Sequence, residues 1–174
     1  MGRPAFFPNR AILDRESPLA DKLGNCAVVY AMWMTGAKAT QEIWELGIIK
    51  RLMLVDPGSK SLSQYQLAMP DPRDLASEIR IATKSAKNRN LKVRWLREFP
   101  GYTLTIGNPE GKDAWAQIEL AFPSIPGGNH PSLEFRKPTH AETVDNVINA
   151  FNSLWENDSL SWEPTDKDLI NGDG

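Results

Sequence analysis

Apolar and polar positions follow two different patterns along this chain. Two short, mostly apolar runs lie in the first half of the chain, at residues 26–33 and 51–55, and a third follows at 93–96. Continuous runs of this length, ended by turn residues, are typical of strands buried on both faces. Residues 58–70 are polar and are expected to be irregular. The first half therefore predicts a buried, parallel part of a sheet.

Helical spacing appears between these runs. Thr40 is expected to cap a short helix that Gly47 closes. Asp71 and Pro72 predict the start of a longer helix, with Asp71 as the N-cap and Pro72 at the first helical position. Its apolar positions recur at helical spacing, and they are Leu75, Ile79, Ala82 and Ala86. We expect this helix to end near residues 88–90.

Strict alternation replaces the continuous runs in the second half. Residues 103–106, 114–120 and 132–136 alternate and are separated by turn sequences, which predicts antiparallel strands. Trp115, Gln117 and Glu119 fall on one face. That face is either a pocket floor or a solvated surface with cross-strand ion pairs.

A last amphipathic helix follows, and Thr139 with Glu142 predicts a capping box at its start. The fold class is therefore α/β, with a single mixed sheet, helices on both faces, parallel N-terminal strands and antiparallel C-terminal strands. We expect an irregular entry segment at 1–18, one domain at 19–156 and an acidic flexible tail at 157–174.

Composition narrows the functional classes. The net charge of -2 over 174 residues favours no partner class, and the single cysteine, Cys26, agrees with a reducing compartment. The longest apolar run is too short for a membrane span and no signal-peptide pattern is present, so we expect a cytoplasmic protein. One cysteine and two histidines lack metal-ligand spacing, and glycine-rich nucleotide motifs are absent. We predict no metal and no cofactor.

The carboxyl ends of parallel strands are where open α/β sheets bind ligands. Residues that follow the three buried runs are therefore candidates for holding a small anion, together with a histidine in the loop before the last strand. They are Thr35, Gly36, Lys38, Asp56, Arg97 and His130. Ordinary turn chemistry explains the same residues equally well.

A block of positive charge lies between Ile79 and Glu98, a stretch without acidic residues. Such a block is the footprint expected for phosphate backbones, and the candidate nucleic-acid residues are Arg80, Lys84, Lys87 and Arg94. The residues after 156 are mostly acidic. Either both segments are solvated, or the tail folds back on the basic helix and competes with a polyanion.

The element order resembles half of a phospholipase D-like domain over roughly residues 20–156. The similar stretches are the turn from Trp33 to Gly36 and the closing segments 133–138 and 151–156. That resemblance implies a phosphohistidine site with the motif His-x-Lys-x-x-x-x-Asp. Its histidine and lysine would fall at Thr103 and Thr105, with Glu110 in place of the acid.

A phosphohistidine mechanism needs its histidine nucleophile, so the resemblance implies a non-catalytic sensor or regulatory module that binds an anionic ligand or a partner protein. It also implies self-pairing, since half-domains of this fold commonly dimerise. Two alternatives stay open at this point. One is a nucleic-acid-binding accessory protein that uses the basic helix at 80–97, and the other is a phosphodiesterase or hydrolase with an atypical site around His130 and Glu119.

Overall fold

The computed structural model describes residues 4–37, 39–71, 73–126 and 129–170. Strands in chain order are Ala5–Phe7 (β1), Val29–Met32 (β2), Ile49–Val55 (β3), Lys92–Leu96 (β4), Tyr102–Gly107 (β5), Trp115–Leu120 (β6), Ser132–Arg136 (β7) and Ser161–Trp162 (β8). Helices in chain order are Arg10–Glu16 (α1), Leu19–Gly24 (α2), Gln41–Glu45 (α3), Lys60–Leu67 (α4), Leu75–Lys87 (α5), Ala141–Glu156 (α6) and Asp166–Ile170 (α7).

All eight strands form one mixed sheet, in the order β1-β7-β6-β5-β2-β3-β4-β8. β2, β3 and β4 are parallel to one another, whereas β5, β6 and β7 are antiparallel. The two parts meet where β5 runs antiparallel beside β2. The predicted single mixed sheet is confirmed, with β2 to β4 parallel and β5 to β7 antiparallel, but the first strand, β1, differs because it pairs antiparallel with β7.

Helices cover both faces of the sheet. Leu23, Ile43, Leu62 and Ile79, from α2 to α5, belong to one apolar cluster together with Trp33 and Leu54. On the opposite face α6 buries Phe151 against a second cluster that includes Tyr30 and Met53. Tyr30 stacks on Phe151 with ring centroids 5.3 Å apart, so the parallel strands lie between two packed layers.

Two helices begin at positions that differ from the predictions. α5 starts at Leu75, and its cap is Asp74, whose carboxylate accepts a hydrogen bond of 2.9 Å from the Ser77 backbone N–H. Asp71 is therefore not the N-cap. The capping box at Thr139 and Glu142 is also wrong, because the N-cap of α6 is His140 and Glu142 falls one position too early in the helix to complete the box.

Three segments expected to lack regular structure contain it. Residues 58–70 include α4, whose apolar side is only Leu62 and Tyr65. The entry segment contains β1 and α1, and residues 157–170 contain β8 and α7. In the last case Trp162 packs edge-on against Trp95, with ring centroids 5.3 Å apart. Residues 157–170 therefore contain regular structure, and the part around Ser161, Trp162 and Pro164 packs on the domain.

The polar face of β6 and β7 is buried. Gln117, Glu119 and Glu134 are each less than 9% exposed. Lys22 of α2 reaches into this face, and its Nζ donates to Gln117 Oε1 at 2.6 Å and to Glu134 Oε2 at 3.0 Å. Burial lowers the pKa of Lys22, while the Glu134 carboxylate opposes that shift. The alternative of a solvated face is therefore wrong, because α1 and α2 cover it.

Candidate nucleic-acid interface

The predicted ligand residues divide into two groups. Thr35, Gly36 and His130 line one small cavity of about 150 Å³ at the carboxyl end of β2, which we call the carboxyl-edge cavity; Thr103 and Glu119 also line it. Asp56 and Arg97 lie elsewhere and contact the C-terminal segment. Lys38 falls outside the described residues. The first group is thus brought together as expected, and the second is not.

Local structure already occupies the polar groups of the first group. The Thr35 hydroxyl accepts a hydrogen bond from the Ala37 N–H at 3.3 Å. Gly36 has φ +77°, and a Cβ there would lie 2.7 Å from Ala82 Cβ on α5. Glycine is needed at this position because the turn is left-handed and α5 packs directly against it. Both residues have structural explanations.

His130 is 3% exposed, and its ring is held on both sides. Nδ1 lies 3.3 Å from Glu119 Oε1, and Nε2 lies 3.1 Å from each of the Phe122 and Ile125 carbonyl oxygens. Carbonyl oxygens only accept, so Nε2 carries a hydrogen and donates it. A nitrogen that donates to its own loop is not open to take a proton from a substrate. The arrangement fixes the 122–125 loop and argues against a hydrolase built on His130.

The residues at the positions of the phospholipase D motif are also buried. Thr105 accepts a hydrogen bond of 2.9 Å from the Trp33 indole N–H, and Thr103 lines the carboxyl-edge cavity. Beside them, burial and the Glu119 charge raise the pKa of Tyr65 to about 12. Tyr65 therefore keeps its proton and is not an activated nucleophile near neutral pH.

Asp56 and Arg97 hold the segment 157–170, here called the terminal segment. Asp56 accepts from the Gly58 N–H at 2.8 Å and from the Trp162 indole N–H at 3.0 Å. The Arg97 guanidinium donates to the Asp158 carbonyl oxygen at 3.2 Å. These two residues anchor the chain's own C-terminal part at the edge where a ligand was expected.

The same segment neutralises part of the basic block. Asp158 pairs with Arg94, and Asp166 lies 3.4 Å from Lys87 Nζ, which also donates to the Pro164 carbonyl at 2.6 Å. Lys84 is exposed and has no ion pair among the described residues. Arg80 Nε is buried without a hydrogen-bond partner in the described part of the chain. Of the four predicted nucleic-acid residues, two are thus engaged by the terminal segment.

A larger cavity lies at the opposite edge of the sheet, where β2, β3 and β4 begin and β5 ends. Its volume is about 1130 Å³. Four cationic side chains line it beside two aromatic rings and two acids; they are Lys50, Arg51, Arg89, Lys92, Tyr30, Trp44, Glu110 and Asp113. We call this cavity the basic groove.

The described partners of the cations in the basic groove are carbonyl oxygens, an amide and aromatic rings. Within the ranges that the structure describes, none of the four forms an ion pair with a carboxylate. Arg89 lies over the Trp44 ring at 5.8 Å and donates to the Ser85 carbonyl, and Lys50 donates to the Gly47 carbonyl. Lys92 is exposed and has no side-chain partner there. Sequence reasoning included Arg89 and Lys92 in the basic block but missed Lys50, Arg51 and the groove itself.

The described residues contain no cluster of three or more histidine, cysteine or acidic side chains able to bind a metal ion. None of their helices combines the length and hydrophobicity that a bilayer crossing requires.

Comparison with known proteins gives a match in fold only. No family model and no curated protein matches the chain. Among solved structures it is similar to TrmBL2, described as an archaeal chromatin protein with a novel mode of DNA binding. The TM-score is 0.52 at 14% sequence identity, and the match covers 90% of this chain and 53% of the other. The chain therefore spans about half the length of that protein and shares its fold over this half.

Proposed function

We propose that this chain is a non-catalytic nucleic-acid-binding module that holds phosphates in the basic groove. The observation that carries the proposal is the set of four cations around one groove, none paired with a carboxylate in the described part of the chain. Cations that the fold leaves unneutralised beside aromatic rings are the usual footprint of phosphate binding. The anionic ligand expected from the sequence is retained, but at the opposite edge of the sheet.

The fold neighbour supports the same function without establishing it. TrmBL2 is described as binding DNA, and this chain resembles about half of it in fold. A fold hosts many functions, so the support must come from the side chains. The basic groove supplies it, because its charge and shape suit a polyanion.

The proposal includes the resemblance to a phospholipase D-like domain that lacks the residues for catalysis. Thr103 and Thr105 stand where the family motif has its histidine and lysine, and Nε2 of His130 donates to backbone carbonyls. A threonine supplies neither the histidine nucleophile nor the lysine cation of that motif, and the Thr105 hydroxyl already accepts a hydrogen bond from the Trp33 indole. A chain that binds nucleic acid without cleaving it would serve a regulatory or accessory role.

The test is binding of a fluorescent oligonucleotide to the full chain at several salt concentrations. Replacing Arg89 and Lys92 together by alanine should weaken binding at least tenfold and lower the salt slope by about 1 to 2 units, because two phosphate contacts are lost. The matched control replaces Lys60 and Arg15, which are exposed and do not line the groove. Equal losses in both double variants would show only a dependence on net charge and would contradict the proposal.

A further inference from the structure

Arg51 differs from the other cations of the basic groove because it is half-buried rather than exposed. It lies on β3, and its guanidinium carbon is 4.8 Å from the centroid of the Tyr30 ring and 5.5 Å from that of Trp155. One nitrogen, Nη1, donates to Asn152 Oδ1 at 2.9 Å. The side chain is therefore fixed between two aromatic rings.

The hydrogen-bonding capacity of Arg51 is mostly unused. A guanidinium carries five N–H groups, and the contact with Asn152 is the one hydrogen bond that described residues make with it. A guanidinium binds phosphate through two parallel hydrogen bonds from neighbouring N–H groups, and Arg51 keeps N–H groups that no described residue accepts from. A half-buried charge without a counter-ion is costly, and a bound phosphate would remove that cost.

Position within the groove indicates which form of nucleic acid can reach Arg51. Lys50, Arg89 and Lys92 are exposed, whereas Arg51 is half-buried beside Tyr30, which is 9% exposed. From this difference in exposure we place the three exposed cations at the rim of the groove and Arg51 at its floor. Duplex DNA is stiff over about 150 base pairs and meets a protein with its convex surface. A single-stranded backbone bends freely and can enter a concave groove. The volume of about 1130 Å³ is large enough for more than one nucleotide unit.

We infer that the basic groove takes a single-stranded segment of nucleic acid, with Arg51 binding one phosphate at the floor and the rim cations binding its neighbours. This inference rests on the proposed function and adds the strand form and the residue that selects it. Rim residues set the overall affinity for phosphates. Arg51 sets the preference for a single strand, because only a flexible backbone delivers a phosphate below the rim.

The experiment compares a twelve-nucleotide thymidine strand with a twelve-base-pair duplex, both labelled, by fluorescence anisotropy at one salt concentration. We expect the wild type to bind the single strand at least tenfold more tightly. Arg51→Gln should weaken the single strand about tenfold or more, since a charge-assisted hydrogen-bonded contact is lost, and should leave duplex affinity within about twofold. Circular dichroism of the variant checks its fold.

A second variant covers the case in which Arg51→Gln does not fold. Asn152→Asp places a carboxylate 2.9 Å from Arg51 Nη1 without removing the arginine, so it should weaken the single strand by a similar factor while preserving the packing. Unchanged affinity in Asn152→Asp, or equal affinity of the wild type for both strand forms, would overturn the inference. If the duplex binds more tightly and the rim variants still weaken it, the inference fails and the proposed function stands. If neither oligonucleotide binds, the proposed function fails.

Discussion

At the scale of single residues, Lys22 is a buried charge held by two side chains of the sheet. Its side chain is 7% exposed, and it pairs at 3.0 Å with Glu134, which is 8% exposed. Arg136 also contacts this carboxylate, with its Nε 2.7 Å from Glu134 Oε1. Removing one member of a buried ion pair leaves the other without its counter-charge, which is worse than removing both.

Lys22→Met should therefore lower the free energy of unfolding by about 3 kcal/mol, near the low end for broken buried pairs because Arg136 remains beside Glu134. Replacing Glu134 by leucine in the same chain should restore most of that loss. Urea denaturation of the two single variants and the double variant measures the coupling. Additive losses in the double variant would show that the pair does not act as a unit.

Other residue-scale features explain why the site was only partly predictable. Arg51 is the first residue of a mostly apolar run, where the sequence indicates a buried strand and nothing marks the guanidinium as accessible. His130, a candidate because it lies in the loop before the last strand, lines the same cavity as Thr35 and Gly36. Its two carbonyl contacts come from the turn at 122–125, whose path depends on tertiary packing that no local pattern reports.

At the scale of elements, the terminal segment lies against α5 and β4 and pairs with part of their positive charge. β8 pairs with β4 through only two residue pairs, Trp95 with Trp162 and Leu96 with Ser161. Asp158 and Asp166 add ion pairs to Arg94 and Lys87. The terminal segment therefore neutralises cations that a polyanion would otherwise contact.

Asp158→Asn together with Asp166→Asn should strengthen oligonucleotide binding about threefold or more, because each change frees one cation for phosphate. Point variants are preferred to a truncation, since Ser161 and Pro164 are buried and their removal would expose the core. The control changes the same net charge at Glu16 and Glu142, away from the basic block. A gain no larger than that of the control would contradict competition by the terminal segment.

Elements with strong periodicity were predictable, and those without it were not. α5 shows four of its buried apolar residues at helical spacing, so its existence was clear although its cap was misplaced by three residues. α4 offers only Leu62 and Tyr65 in a serine- and glutamine-rich segment, so its pattern is too weak to identify. The polar face of β6 and β7 alternates like that of a solvated strand, so its burial could not be predicted. The lysine that binds Glu134 there lies 112 residues away in sequence, beyond the reach of any local pattern.

At the scale of the whole molecule, the two edges of the sheet have different roles. The carboxyl ends of the parallel strands meet His130, the Thr35–Gly36 turn and the terminal segment, and most polar groups there bond within the chain. The opposite edge has the larger cavity and the unneutralised cations. The usual location of ligands in open α/β sheets is thus filled by local structure, and the available charge lies at the other end.

Self-pairing stays a prediction. The two edge strands, β1 and β8, contain three and two residues, and strands this short are poor templates for extending a sheet across two copies. A dimer of this chain would therefore use a face of the domain rather than a continuous sheet.

The most direct test of the central claim is ultraviolet cross-linking of a single-stranded oligonucleotide to the full chain, with the attached peptides identified by mass spectrometry. Cross-links should fall in peptides that line the basic groove, around Tyr30, Trp44 and 89–92. Cross-links confined to the carboxyl-edge cavity, around Thr35 and His130, would contradict the assignment of the groove as the nucleic-acid interface.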